Sequence, residues 1–150
     1  MKLQAWRIVK AKHAASAFSG EGARLYGGRW NSAGVSLVYT SGSKALAALE
    51  SLVHLNPPVL FSYVIISVGF DAALVEKVSA LPPGWNDMPA PPSTRGLGDL
   101  WAAQRRSAVL EVPSAIIPGE SNFLLNPAHP DFAAISFGVA EPFAFDPRLL

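Results

Sequence analysis

The order of apolar segments limits the fold more than any other feature of the sequence. Strand-like runs outnumber helical ones, and the two kinds do not alternate. "LQAWRIV" (3–9), "VSLVYT" (35–40), "FSYVIISV" (61–68), "ALVEKV" (73–78) and "AVLEV" (108–112) are short and rich in β-branched or aromatic residues. That is the composition of half-buried or buried strands. "AISFGV" (134–139) and "PFAFD" (142–146) read as two more short strands near the end. Only two stretches carry a helical period. In residues 41–55, Ala45, Leu46, Leu49 and Val53 form an apolar stripe, Ser41 or Ser43 can cap the start, and Pro57 and Pro58 end the helix. Residues 93–107 place Leu97, Leu100, Trp101 and Gln104 on one face. A doubly wound parallel sheet needs regular strand–helix alternation, which is missing here. The pattern predicts an α+β fold, a single domain over residues 1–150 with mixed, mostly antiparallel sheets.

Between these segments the chain is predicted to be irregular. Residues 10–34 contain Gly20, Gly22, Gly27, Gly28 and Gly34 as breakers. Residues 81–92, "LPPGWNDMPAPP", hold Pro82, Pro83, Pro89, Pro91 and Pro92 and cannot form a regular element. Residues 113–132 read as turn-rich. A chain of 150 residues still buries about 68–70% of its unfolded surface, enough for a real core.

Charge narrows the classes of function. Charged residues make up 15% of the chain, against about 25% in an average domain. A surface so short of charge is expected to keep an apolar patch for a protein partner. The net charge of +1 gives no basic footprint, so no direct nucleic-acid partner is expected. The absence of cysteine rules out disulfides, cysteine nucleophiles and thiolate metal sites. Arg7, Lys10 and Lys12 break up the apolar stretch a secretory leader would need. No apolar run of about 18 residues offers a membrane span. A soluble cytoplasmic protein with no membrane partner is the expectation.

Several motifs can be set aside. Gly20-x-Gly22 lacks the third glycine of a dinucleotide fingerprint, and there is no Walker sequence. "SGSK" (41–44) matches the S-x-x-K of penicillin-binding enzymes, but four residues match often and the chain is much shorter than those enzymes. His13, His54 and His129 lie on three separate segments. Glu50 and His54 are spaced i,i+4, which is half a metal site at most and more often a structural pair. No metal is expected.

Five residues remain. The loop "GARLYGGRWNSAG" (22–34) carries Arg24 and Arg29 among glycines and aromatics. A guanidinium fork grips phosphate bidentately; the plain alternative is a solvated loop arginine. Glu50 stands in an otherwise apolar helix, where a carboxylate is expensive unless paired or functional. Tyr39 ends a strand just before that helix, so strand end, turn and helix can share one cleft. Ser114 follows Pro113 at a strand end, a place where serine is usually a turn-former.

Taken together, "GGRWN", "LVYTSGSKALAALESLVHL", "VPSAIIP" and "NFLLNPAHP" resemble the RES domain family, named for its arginine, glutamate and serine. The resemblance covers nearly the whole chain and places that trio on Arg29, Glu50 and Ser114, with Tyr39 as a fourth site residue. It implies a fold like that of ADP-ribosyltransferases and the role of toxin in a bacterial type II toxin–antitoxin pair. It also implies NAD+ as a substrate, with no permanently bound cofactor, and cleavage of the nicotinamide–ribose bond by hydrolysis or phosphorolysis, arresting growth. The alternatives are mono-ADP-ribosylation of a host protein and a catalytically silent antitoxin-binding module; the intact trio argues against the second. The implied partner is an Xre-type antitoxin with a helix-turn-helix domain. Low charge and the proline-rich 79–92 segment point to protein contact, with the antitoxin and with a second copy as a homodimer in the complex. In this reading Glu50 faces the cationic anomeric carbon and Arg29 clamps the pyrophosphate. Tyr39 stacks on nicotinamide, and Ser114 bonds nicotinamide or its ribose. Arg24 is a possible helper and Glu120 the reserve carboxylate.

Overall fold

A computed structural model of the chain describes residues 1–55 and 61–150. The elements, in chain order, are strand β1 (Lys2–Lys10), helix α1 (Glu21–Tyr26), β2 (Val38–Ser41), α2 (Lys44–Leu52), β3 (Tyr63–Asp71), β4 (Val75–Lys77), α3 (Pro92–Gln104), β5 (Val109–Pro113), β6 (Ser121–Leu125), β7 (Ser136–Phe137) and β8 (Glu141–Phe143). Among the described residues the strands form one sheet in the order β4-β5-β6-β2-β1-β3-β7, with β8 also on β3. Among the described strands only β4 and β5 pair in parallel. The predicted mixed, mostly antiparallel α+β fold is what forms.

The sheet is two well-paired halves joined at a single point. β1 pairs β3 along its whole length, from Lys2↔Asp71 to Lys10↔Tyr63. On its other edge β1 meets β2 only at Trp6↔Ser41. β2 then continues into β6 from Val38↔Leu125 to Ser41↔Asn122, and β6 into β5. Successive strand residues face opposite sides. Val38, Val109, Phe123 and Leu125 therefore join Ala5, Val68 and Phe70 in one core cluster. Leu37, Leu110, Val112 and Leu124 form a second with Trp30 and Trp101. Helix α3 covers this second face. It comes so close to the loop before β2 that a Cβ on Gly98 would stand 1.7 Å from the Trp30 carbonyl oxygen. Only glycine fits there. The Asp99 carboxylate, one residue on, accepts from the Ser32 N–H at 2.8 Å. Helix α3 thus fixes the loop that carries Arg29.

Several expectations need correction. Residues 10–34 are not wholly irregular: a 3-10 turn spans Ala11–Ser16 and α1 spans Glu21–Tyr26. Gly20 (φ 78°, ψ 6°) and Gly27 (φ 72°, ψ 179°) bound that helix, so these glycines break the chain at the helix ends, in positive-φ conformations that favour glycine. β6 forms inside the stretch read as turn-rich. β2 begins three residues later than predicted, and β4 is cut short by a 3-10 turn at Ala72–Leu74. In α2 the Ser43 hydroxyl caps the helix, accepting from the Leu46 N–H at 3.0 Å. The buried face is Leu46, Ala47 and Ala48, while Ala45 and Val53 are exposed. The predicted stripe was rotated, because one flank of the helix faces a cleft instead of the core. The helix end expected at Pro57 and Pro58 lies outside the described residues. In α3, Trp101 is buried but Leu100 and Gln104 are exposed. Among the described residues no helix is long and apolar enough to cross a membrane.

Candidate active site

Beyond Trp6↔Ser41 the strands β1 and β2 part, and a cleft of about 1010 Å³ opens between them. Its lining includes Arg7, Tyr39, Glu50 and Asn122, together with Arg29 and Arg95. Glu50 is the one carboxylate among the described lining residues. Four basic side chains line the same cleft: Arg7 and Lys10 on β1, Arg29 on the loop and Arg95 on α3.

Glu50 is half-buried. Its Oε2 accepts from the Ser114 hydroxyl at 3.1 Å and from Asn122 Nδ2. Among the described residues Oε1 has no hydrogen-bond partner, and no basic group forms a salt bridge with Glu50. Two neutral donors hold the carboxylate by one oxygen, which offsets the desolvation cost and leaves the other oxygen for a ligand. Ser114 is 2% exposed. Its Oγ also accepts from the N–H groups of Ile116 and Ile117, at 3.2 and 3.1 Å. A hydroxyl has one proton and two lone pairs, so Ser114 is fully occupied within the protein.

Arg29 lines the cleft but touches neither Glu50 nor Ser114. Its Nη1 donates to the carbonyls of Trp85 and Asp87, at 2.9 and 2.8 Å. Nε and Nη2 have no partner among the described residues. Arg95 Nη1 donates to the Ala90 carbonyl at 2.8 Å. These two arginines strap the proline-rich segment down as a wall, and Met88, Pro89 and Ala90 line the cleft. The Tyr39 hydroxyl donates to Asn31 Oδ1 at 2.6 Å and accepts from the Trp30 N–H at 3.1 Å. It bolts the arginine loop to β2, and burial raises its pKa. A Cβ on Gly28 would come within 2.7 Å of that hydroxyl, which explains one glycine of "GGRW".

Other candidates fall away. Arg24 is ion-paired with Glu21 on the exposed face of α1. Glu120 accepts from Ser43 Oγ at 3.5 Å on the exterior. Ser41 donates to Asn122 while Lys44 lines a separate cavity of about 400 Å³, so the S-x-x-K pair forms no nucleophile and base. His54 lines the cleft beside Glu50, but no cluster of three or more metal-ligating side chains occurs among the described residues.

Two site residues escaped sequence reasoning. In the sequence Arg7 reads only as a charge interrupting an apolar stretch. Its Nε donates to the Ala17 carbonyl at 2.7 Å and its Nη1 to the Tyr39 carbonyl at 2.9 Å. It thus fills the gap left where the β1–β2 ladder stops. Burial lowers its pKa to about 10, so it stays charged at neutral pH. Among the described residues no carboxylate pairs with it. An arginine inside "AWRIV" was the available signal. Asn122 lies in a stretch that reads as turns and carries no local signal.

Among the described residues, then, a cleft lined by basic side chains surrounds one carboxylate in a split mixed sheet. The chain belongs to the RES domain family, which it matches over residues 4–146. It is 40% identical over 153 residues to a "Prs ADP-ribosylating toxin" of a Sphingobium species, covering 97% of this chain and 95% of that protein. It is 37% identical to a "Toxin Res" of Yersinia enterocolitica, covering 96% and 97% of the two chains. The fold matches a chain in the crystal structure of the M. tuberculosis MbcT–MbcA toxin–antitoxin complex. The TM-score is 0.77 at 15% identity, over 96% of this chain and 85% of that one. The chain is a toxin of the RES family, as the sequence resemblance indicated.

Proposed function

We propose that the protein is the toxin of a bacterial toxin–antitoxin pair and breaks the nicotinamide–ribose bond of NAD+. The observation that carries this reading is Glu50, held by Oε2 with Oε1 open, in a cleft whose other lining charges are cations. The substrate's two phosphates suit those cations, and Arg7 and the Nε–Nη2 edge of Arg29 are the donors available to them. When the C1′–N bond breaks, its electron pair leaves with the nicotinamide nitrogen and positive charge develops at the anomeric carbon. Glu50 Oε1 stabilises that charge. Water or phosphate then attacks C1′ and gives up its proton, yielding ADP-ribose or its phosphate ester.

A second reading is favoured by the 40% identical relative, whose name describes an ADP-ribosylating toxin. In it a protein side chain takes the place of water after the same bond cleavage. For the partner, exposed apolar side chains rim the cleft: Tyr26 at 85%, Met88 at 78% and Val53 at 49%. They form a seat on which an antitoxin of the Xre type would close the cleft to NAD+. A homodimer in that complex and a cytoplasmic site of action complete the proposal, as does a single RES domain over residues 1–150.

Incubation of the purified protein with NAD+, followed by mass spectrometry of nucleotides and proteins, tests the reading. Free nicotinamide with ADP-ribose, its phosphate ester or a protein adduct is the expected result and identifies the acceptor. Intact NAD+ with no adduct, in the presence of cell extract, contradicts it.

A further inference from the structure

We propose that Asn122 is the positioning residue of Glu50, with its amide orientation set by Ser41, so that the carboxylate meets its substrate through Oε1 alone. The inference rests on the reading of Glu50 given above. Trp6, Ser41 and Asn122 lie side by side across β1, β2 and β6 by register, and α2 brings Glu50 to the end of that row. An ionised carboxylate only accepts hydrogen bonds. Asn122 therefore turns Nδ2 toward Glu50 Oε2, which leaves Oδ1 facing Ser41. Ser41 is 5% exposed, and its hydroxyl donates to that Oδ1 at 2.8 Å. A flipped amide would set an oxygen against the carboxylate oxygen, two acceptors in contact. The chain Ser41→Asn122→Glu50 has one self-consistent direction of donation.

Ser114 cannot do this alone. Its hydroxyl is pinned by two backbone N–H groups at the β5 end and gives Glu50 one bond. Asn122 gives the second from β6. Two donors on different strands fix one oxygen in space; with one, the carboxylate is free to swing about that bond. The basic side chains lining the same cleft are Arg7, Lys10, Arg29 and Arg95, with the His54 imidazole beside them. Glu111 and Glu120, the acidic groups near β6, are bonded to Ser121 and Ser43.

The test is a double-mutant cycle with a spectroscopic arm. Asn122→Ala is expected to lower kcat for nicotinamide release by about 10- to 100-fold with KM for NAD+ nearly unchanged. In a Glu50→Gln background it should cost less than twofold. Asn122→Asp keeps shape but sets a carboxylate against Glu50, and should be at least as damaging as Asn122→Ala. Ser41→Ala should cost several-fold in the wild-type background and nothing once Asn122 is alanine. Equal losses from Asn122→Ala in both Glu50 backgrounds, or an active Asn122→Asp protein, would overturn the proposal. The spectroscopic arm needs no turnover: the Asn122 side-chain amide resonances in 15N-labelled protein should move on Glu50→Gln. Resonances that stay put refute the contact. If wild-type protein leaves NAD+ intact, the functional reading falls while this arm still decides the Asn122–Glu50 bond.

Discussion

The two edges of β1 behave oppositely. Toward β3 the ladder runs the full length of the strand; toward β2 it closes at Trp6↔Ser41 and stops. On the β3 side, Ala5, Val68 and Phe70 are fully buried, and backbone pairing goes with apolar burial. On the β2 side the ladder's place is taken by a guanidinium. Arg7 reaches across to the Tyr39 carbonyl, and polar side chains line the space that opens. The closed edge carries apolar packing and the open edge carries the polar side chains of the cleft, although both edges belong to one strand.

Substitutions on the two sides should therefore separate. Phe70→Ala on the closed side is expected to have the largest effect, a loss of about 3–5 kcal/mol in unfolding free energy. Chemical denaturation measures it, and the fraction that stays folded should keep the wild-type rate. A rate that falls with stability intact would break the comparison. On the open side, Arg7→Gln should raise KM for NAD+ by about 10- to 100-fold, since a charge-assisted phosphate contact contributes about 1.5–3 kcal/mol. Its thermal midpoint should move little, because glutamine can still donate to a backbone carbonyl. Arg29→Lys should come next. Lysine keeps the charge but cannot serve both carbonyls of the proline-rich wall and a phosphate in fork geometry. A loss near 1–2 kcal/mol in transition-state binding, with faster proteolysis within residues 81–92, is expected. Wild-type kinetics in that variant would remove Arg29 from the site. The smallest effect belongs to Ser136→Ala, at the short β7 pairing with β3, where the exposed hydroxyl bonds the Gly69 carbonyl at 3.2 Å. Neither stability nor rate should change by more than about 0.5 kcal/mol.

Much of this arrangement could be read from residue types. The long strands announce themselves by β-branched and aromatic runs, and Glu50 by being a carboxylate in an apolar helix. What stayed hidden depends on register or on distant packing. α1 is six residues long, too short for its period to show among glycines. β6 follows a proline–glycine turn and looks like more of the same until it pairs with β2. Asn122 matters because it lies opposite Ser41, a relation between residues 81 positions apart. Arg29 was legible as a site arginine, but not as the strap that holds Trp85 and Asp87. Val53 reads as core in the sequence because a helix flank facing a cleft carries the same apolar period as one facing a sheet.

The central claim is that the open edge of β1 frames an NAD+-cleaving cleft in which Glu50 Oε1 meets the developing cation. The most direct test compares nicotinamide release by wild-type and Glu50→Gln proteins, each shown to be folded by its thermal midpoint. Glutamine keeps the shape of the side chain, and its carbonyl oxygen still accepts from Ser114 and Asn122. The account predicts a fall of about 10²-fold or more in rate, the scale of removing one electrostatic stabiliser, with stability nearly unchanged. Nicotinamide release by folded Glu50→Gln protein at the wild-type rate would contradict it.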